Sequence, residues 1–167
     1  MSRVTLDDQW RVSTAIIQAL STALGTITID RFATNINRVC EQFNSYFVEE
    51  DSAGIDAFAQ QDYNSHRNYA FPPVSILGRF LIYILRHWPD CELICVFPLW
   101  RAQPWFPLVH ELFDTIWYLP DNRLTFEPTR VNTATPLSAV SDIQYMVGSR
   151  NIIQQNYLPY FVFHRRV

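Results

Sequence analysis

The sequence predicts an α/β fold, a three-layer sandwich with a mostly parallel central sheet. Three observations predict it. Strand-like and helix-like segments alternate along the chain. The run Leu93-Ile94-Cys95-Val96-Phe97 is apolar throughout, as in a strand buried on both faces. The segment 75–88 carries Ile76, Phe80, Ile84 and Trp88 on one helical stripe, directly after Pro72-Pro73. At 167 residues the chain is long enough for one domain with a sizeable core.

The elements follow in order. Thr5 caps a predicted helix with Asp7 and Asp8 in its first turn, and Val12, Ile16, Leu20 and Leu24 recur near helical spacing until Gly25. Residues 26–30, β-branched and ending in Asp30, read as a strand. Residues 31–43 are loop-like, with a short helix expected around Val39. Tyr46-Phe47-Val48 reads as a short strand, and 56–60 as a turn. Pro89 ends the 75–88 helix. A further helix is expected over 104–116, with Pro104 near its start. Short strands are expected at 117–119 and 124–127. The polar stretch 128–149 reads as a long excursion, and 158–163 as a final edge strand entered at Pro159. The whole, 1–167, forms one domain: an N-terminal helix (1–25), a core (26–119) and divergent C-terminal strands with a loop (120–167).

Composition narrows the function classes. Hydrophobic residues make up 49% of the chain and only four are Gly, which excludes a disordered protein. The net charge of −3 gives no broadly basic surface for coating phosphates. Every basic side chain except His is Arg, and residues 121–167 carry five Arg against three acids, so an anion-binding edge is expected there. Cys40, Cys91 and Cys95 lack Cys-x-x-Cys spacing and read as core thiols of a reducing compartment. No apolar run approaches the roughly 18 residues of a membrane span, and no signal-peptide pattern opens the chain. The expected location is intracellular, nuclear or cytoplasmic.

Ligands of open α/β sheets gather at the carboxyl ends of strands. Three such ends stand out: Asp30, the Phe71-Pro72-Pro73 corner, and Phe97-Pro98-Leu99-Trp100. Asp30 can bind a ribose hydroxyl or an amino group there, or simply cap its loop. Prolines in a first helical turn are harmless to the backbone, so the corner alone is compatible with an ordinary helix start.

The motifs are more specific as an ordered set. Residues Asp30 to Asn37, the pairs Asp56-Ala57-Phe58 and Gln61-Asp62-Tyr63, then Tyr69 to Ser75 and Pro98 to Phe106 occur in one series. That series resembles the domain following reverse transcriptase and RNase H in DIRS-type, tyrosine-recombinase retrotransposons, which is similar to the phage Dam family of adenine-N6 DNA methyltransferases. The resemblance spans roughly residues 26–119 and implies a Rossmann-like methyltransferase sandwich with S-adenosylmethionine as cofactor. It implies that Asp30, Phe32, Ala33 and Asp56 line the cofactor pocket. It puts Phe71-Pro72-Pro73-Val74 on the catalytic Asp/Asn-Pro-Pro-aromatic position.

Two of those four positions depart from the family. Adenine N6 is a poor nucleophile, and the family's Asp or Asn side chain accepts one of its hydrogens during methyl attack. The aromatic fourth residue stacks on the flipped base. Phe71 accepts no hydrogen bond and Val74 has no stacking face. The glycine-rich cofactor loop is also missing, since Ala33-Thr34-Asn35 has no Gly. Degenerate or lost catalysis is expected.

Two other classes remain open. A non-catalytic module on the same fold would bind nucleic acid, a protein partner or a second copy of itself, with Trp100, Arg101 and Trp105 as contact residues. An RNase H-like nuclease would hold two metal ions on Asp30, Asp56, Asp62 and Asp114. Its first long helix should carry a ligating Glu, and residues 75–88 contain no acid. No metal site is expected.

Overall fold

The computed structural model describes residues 10–129 and 142–164. The strands are β1 (Trp10–Val12), β2 (Ile29–Asp30), β3 (Asn44–Ser45), β4 (Gly54–Ile55), β5 (Arg67–Ala70), β6 (Glu92–Pro98), β7 (Thr115–Tyr118), β8 (Phe126–Pro128) and β9 (Tyr145–Arg150). The helices are α1 (Thr14–Leu24), α2 (Val74–His87), α3 (Phe106–Leu112) and α4 (Asn122–Thr125). Short 3-10 turns at Ala57–Ala59 and Tyr63–Ser65 lead into β5.

The main sheet has the order β2-β5-β6-β9-β7. β2, β5 and β6 run parallel, while β9 pairs antiparallel with both β6 and β7. β3 and β4 form a separate parallel pair, and an isolated bridge between Asp30 and Phe43 links the segment before β3 to β2. β1 and β8 form a small antiparallel ribbon.

The mostly parallel, Rossmann-like sandwich expected from the sequence is therefore corrected. The sheet is mixed, two small two-stranded sheets flank it, and α4 is only one turn long. The expectation failed because all but the last residue of β9 lies inside the polar stretch 128–149. Its half Tyr145-Met146-Val147 is core, but Gly148, Ser149 and Arg150 dilute the apolar signal. Gly148 is small for a packing reason: an added Cβ would lie 2.5 Å from Cγ of Phe113. The expected strand at 158–163 is a turn, with Tyr160 and Phe161 exposed.

Period-two alternation divides the core between the two faces of the sheet. Leu93, Cys95 and Phe97 of β6 pack with Leu77, Phe80 and Leu81 of α2 and Val109 and Leu112 of α3. Ile94 and Val96 pack on the other face with Ile16, Leu20 and Leu24 of α1. α1 starts at Thr14 rather than near Thr5, which lies outside the described residues. Its cap is Ser13, whose Oγ accepts from Ile16 N, and Gly25 ends it at φ 97°. α2 runs close to its expected span, whereas α3 is shorter than expected because Phe113 is already extended (φ −93°, ψ 134°). Among the described residues no helix is long and apolar enough to cross a membrane.

Candidate functional site

A cavity of about 80 Å³ opens where β2 and β5 end, walled by the β1 ribbon and the start of β9. Asp30, Phe32 and the corner residues Phe71, Pro72, Pro73 and Val74 all line it. The parallel pairing of β2 with β5 sets Asp30 beside Tyr69, so the two strands deliver their loops to the same place.

Asp30 is buried, at 2% exposure. Its Oδ1 accepts from Phe32 N and its Oδ2 from Val39 N, both at 3.2 Å, which folds the 31–39 loop around the carboxyl group. Burial pushes its pKa up to about 7, against the lowering effect of those two hydrogen bonds. Among the described residues no cation pairs with it. The adjacent Arg31 turns the other way, donating to Asn68 and Asn44 at 2.8 Å and pairing with Asp62 at 2.9 Å. Its guanidinium also lies 4.0 Å from the centre of the Tyr63 ring.

At the corner, Pro73 (φ −54°, ψ 141°) precedes α2 without offering a side-chain cap, and Val74 is the first helical residue. Phe71 stacks on Phe126 at 6.0 Å and meets Tyr145 edge-on at 5.8 Å. The position that carries the hydrogen-bond acceptor in the motif is thus filled by a packed ring. Asn68 does not substitute for it. Its amide donates to the carbonyls of Tyr63, His66 and Glu92 and its oxygen accepts from Arg31, so the side chain is committed near the opposite end of β5.

The other sequence candidates sit elsewhere. Ala33 is buried, with its N–H bonded to Asn44 O. Asp56 lies outside the cavity, where its carboxylate accepts from Phe58 N at 2.9 Å and its backbone holds φ 68°. Trp105 is 7% exposed and packs over Gly78, whereas Trp100 is half-buried and Arg101 exposed. None of the residues 98–106 lines the cavity. Asp30, Asp56, Asp62 and Asp114 are not brought together, and among the described residues no cluster of three or more His, Cys, Asp or Glu is placed to hold a metal.

A family model described as DNA N-6-adenine-methyltransferase (Dam) matches residues 2–157. The chain belongs to the Dam family. No curated protein matches it at a significant level. Dam-family enzymes depend in general on S-adenosylmethionine, and this Dam-family cavity does not fit that cofactor. About 80 Å³ is well below the ~300–1,000 Å³ typical of small-molecule sites. Asp56, the second acid that the motif order puts on the cofactor, lies outside the cavity with its carboxylate on its own turn.

Sequence reasoning missed much of the wall: Trp10, Asn37, Val39, Tyr46, Tyr69 and Tyr145. Trp10 was hidden inside a helix that was expected to start too early. The signal available was Ser13, a good cap immediately before a new apolar periodicity. Tyr145 had only its Tyr-Met-Val run to mark it.

Proposed function

We propose that this Dam-family domain has lost methyl transfer and works as a non-catalytic interaction module of retroelement origin. The carrying observation is the Phe71 ring, packed between Phe126 and Tyr145 at the head of the Pro-Pro corner. Methyl attack needs an acceptor aimed at the adenine amino group as its lone pair is released. The Pro72 carbonyl supplies one acceptor in the family's arrangement, and residue 71 should supply the other. Losing one positioned partner for developing charge costs roughly 3–4 kcal/mol, on the order of a hundredfold to a thousandfold in rate. Val74 removes the stacking face as well.

Retroelement origin is supported by the order of the motifs from Asp30 to Phe106, which is that of the DIRS-type domain. For contacts with nucleic acid or protein, Trp100 and Arg101 offer an aromatic and a cation side by side at the surface. The test is incorporation of a labelled methyl group from S-adenosylmethionine into DNA and RNA. No incorporation above a protein-free control is expected, and robust incorporation that depends on Asp30 and the corner would sink the reading.

A further inference from the structure

We propose that the cavity between Asp30 and the Phe71–Val74 corner binds a small quaternary ammonium ion bearing a nearby oxygen. The inference concerns that same site but does not depend on whether methyl transfer has been lost.

Three observations carry it. First, six aromatic side chains line the cavity: Trp10, Phe32, Tyr46, Tyr69, Phe71 and Tyr145. Ring faces attract organic cations, most strongly where water is excluded. Second, the same wall holds a buried carboxylate with no cationic partner among the described residues. Each Asp30 oxygen accepts one N–H and keeps a further lone pair, so the group is anchored but its charge is uncompensated. Third, Trp10 Nε1 is buried without a partner among the described residues, a donor that a ligand oxygen would satisfy.

The other groups facing the cavity do not oppose a cation. Arg11 lines it, but its guanidinium pairs with Glu127 at 2.9 Å and donates to Arg38 O. Burial pushes the phenols of Tyr46 and Tyr69 up, so both stay neutral. Cys40, beside Asp30, also stays protonated because burial raises its thiol to about 12.

Size and hydrogen bonding choose among cations. At about 30 Å³ per water, a cavity of about 80 Å³ takes two to three waters, so only the compact head of an organic cation enters and the rest of the ion lies towards the mouth. A primary ammonium has three donors to satisfy, and the Asp30 oxygens are already partly used. A quaternary head asks for no hydrogen bonds and leaves the 31–39 loop intact.

Choline is the probe, with 3,3-dimethylbutan-1-ol as its uncharged isostere, titrated by calorimetry at constant ionic strength. Choline should bind with at least tenfold preference over the isostere near pH 8, about 1.4 kcal/mol. The preference should shrink near pH 5.5, where Asp30 carries its proton. Tyr46, 42% exposed at the rim, can be changed without disturbing the core, and Tyr46→Leu should weaken choline several-fold. Equal binding of the isostere would mean an apolar hole, and no heat with choline at about 50 mM would mean no site; either result overturns the proposal. Methyl incorporation would overturn the non-catalytic reading alone, so the two failures are distinguishable.

Discussion

The Phe113 ring rests on the backbone of Gly148, so close that a methyl group there would come within 2.5 Å of Cγ. Phe113 in turn stacks on Phe97 at 5.6 Å, nearly parallel. This stack joins the end of α3 to the two central strands β6 and β9. Gly148→Ala must displace the ring or the strand, and overpacking of this kind costs about 1–3 kcal/mol. A urea unfolding curve should show the loss as a lower midpoint with an unchanged slope.

Arg31 offers a second test. Its buried guanidinium ties β2 to β3 through Asn44, to β5 through Asn68, and to the turn before β5 through Asp62. Arg31→Lys keeps the charge but replaces a planar fork with a single point, so it cannot serve all three partners. Arg31→Lys should lose roughly 1–2 kcal/mol and Arg31→Ala roughly 2–3 kcal/mol, because Asn44 and Asn68 lose a charged donor while the half-exposed Asp62 stays solvated. Equilibrium unfolding at neutral pH measures both.

Asp30 predicts an unusual pH dependence. The native carboxyl keeps its proton up to about pH 7, whereas an unfolded Asp releases it near 3.8. Between those values the native state binds more protons, so this group's contribution to stability falls as pH rises. The full drop is roughly 4 kcal/mol at about 1.4 kcal/mol per pH unit. Asp62 and Glu127 behave oppositely and lower down. Burial raises each, but the Arg31 guanidinium outweighs it at Asp62, and bonds from Thr14 and Arg11 outweigh it at Glu127. Their contribution is present above the ordinary carboxylate range and is lost in more acidic solution. Unfolding midpoints from pH 4 to 7 should therefore decline in the native protein and flatten in Asp30→Asn.

Phe71 is the residue whose replacement separates packing from chemistry. Phe71→Asn places an acceptor at the corner but opens the three-ring cluster with Phe126 and Tyr145. It should lower stability by about 2–3 kcal/mol, somewhat less than for a fully buried Phe. Labelled methyl transfer should remain absent in the variant, because Val74 still offers no stacking face and the Asp30 loop is unchanged.

Asp56 gives a smaller, local prediction. Its backbone sits at φ 68°, where Asn and Asp are tolerated better than Ala, and its carboxylate bonds Phe58 N. Asp56→Asn should be nearly neutral, and Asp56→Ala should cost about 1–2 kcal/mol by thermal unfolding.

What could be read from the sequence follows the reach of each signal. The α2 stripe and the apolar β6 run are local and strong, and both formed close to where they were expected. The corner at Phe71–Val74 and Asp30 could be placed together because strand ends in a sheet share an edge. β9 could not be read, since its identity depends on Phe113 demanding a glycine 35 positions later, a purely tertiary requirement. Ser45, with Oγ donating to Phe47 O, and Asn44, accepting from Arg31, likewise make β3 from polar residues that no propensity would choose. Asp56 is placed in the cavity by motif position, and Trp105 at a contact surface by its place among aromatics near an expected rim. Burial and capping then decided where each one actually lies.

The antiparallel return of β9 also sets an order of assembly. β6 and β7 are made first, yet they face each other only across a strand that arrives last. Until residue 150 is available, both carry open edges with unpaired N–H and C=O groups and apolar flanks. A chain stopped before Tyr145 would keep two such edges and be prone to pair with its own copies. The strand that seals the sheet is thus also its guard against aggregation, and the slow, long-range closure it requires is where folding is most exposed.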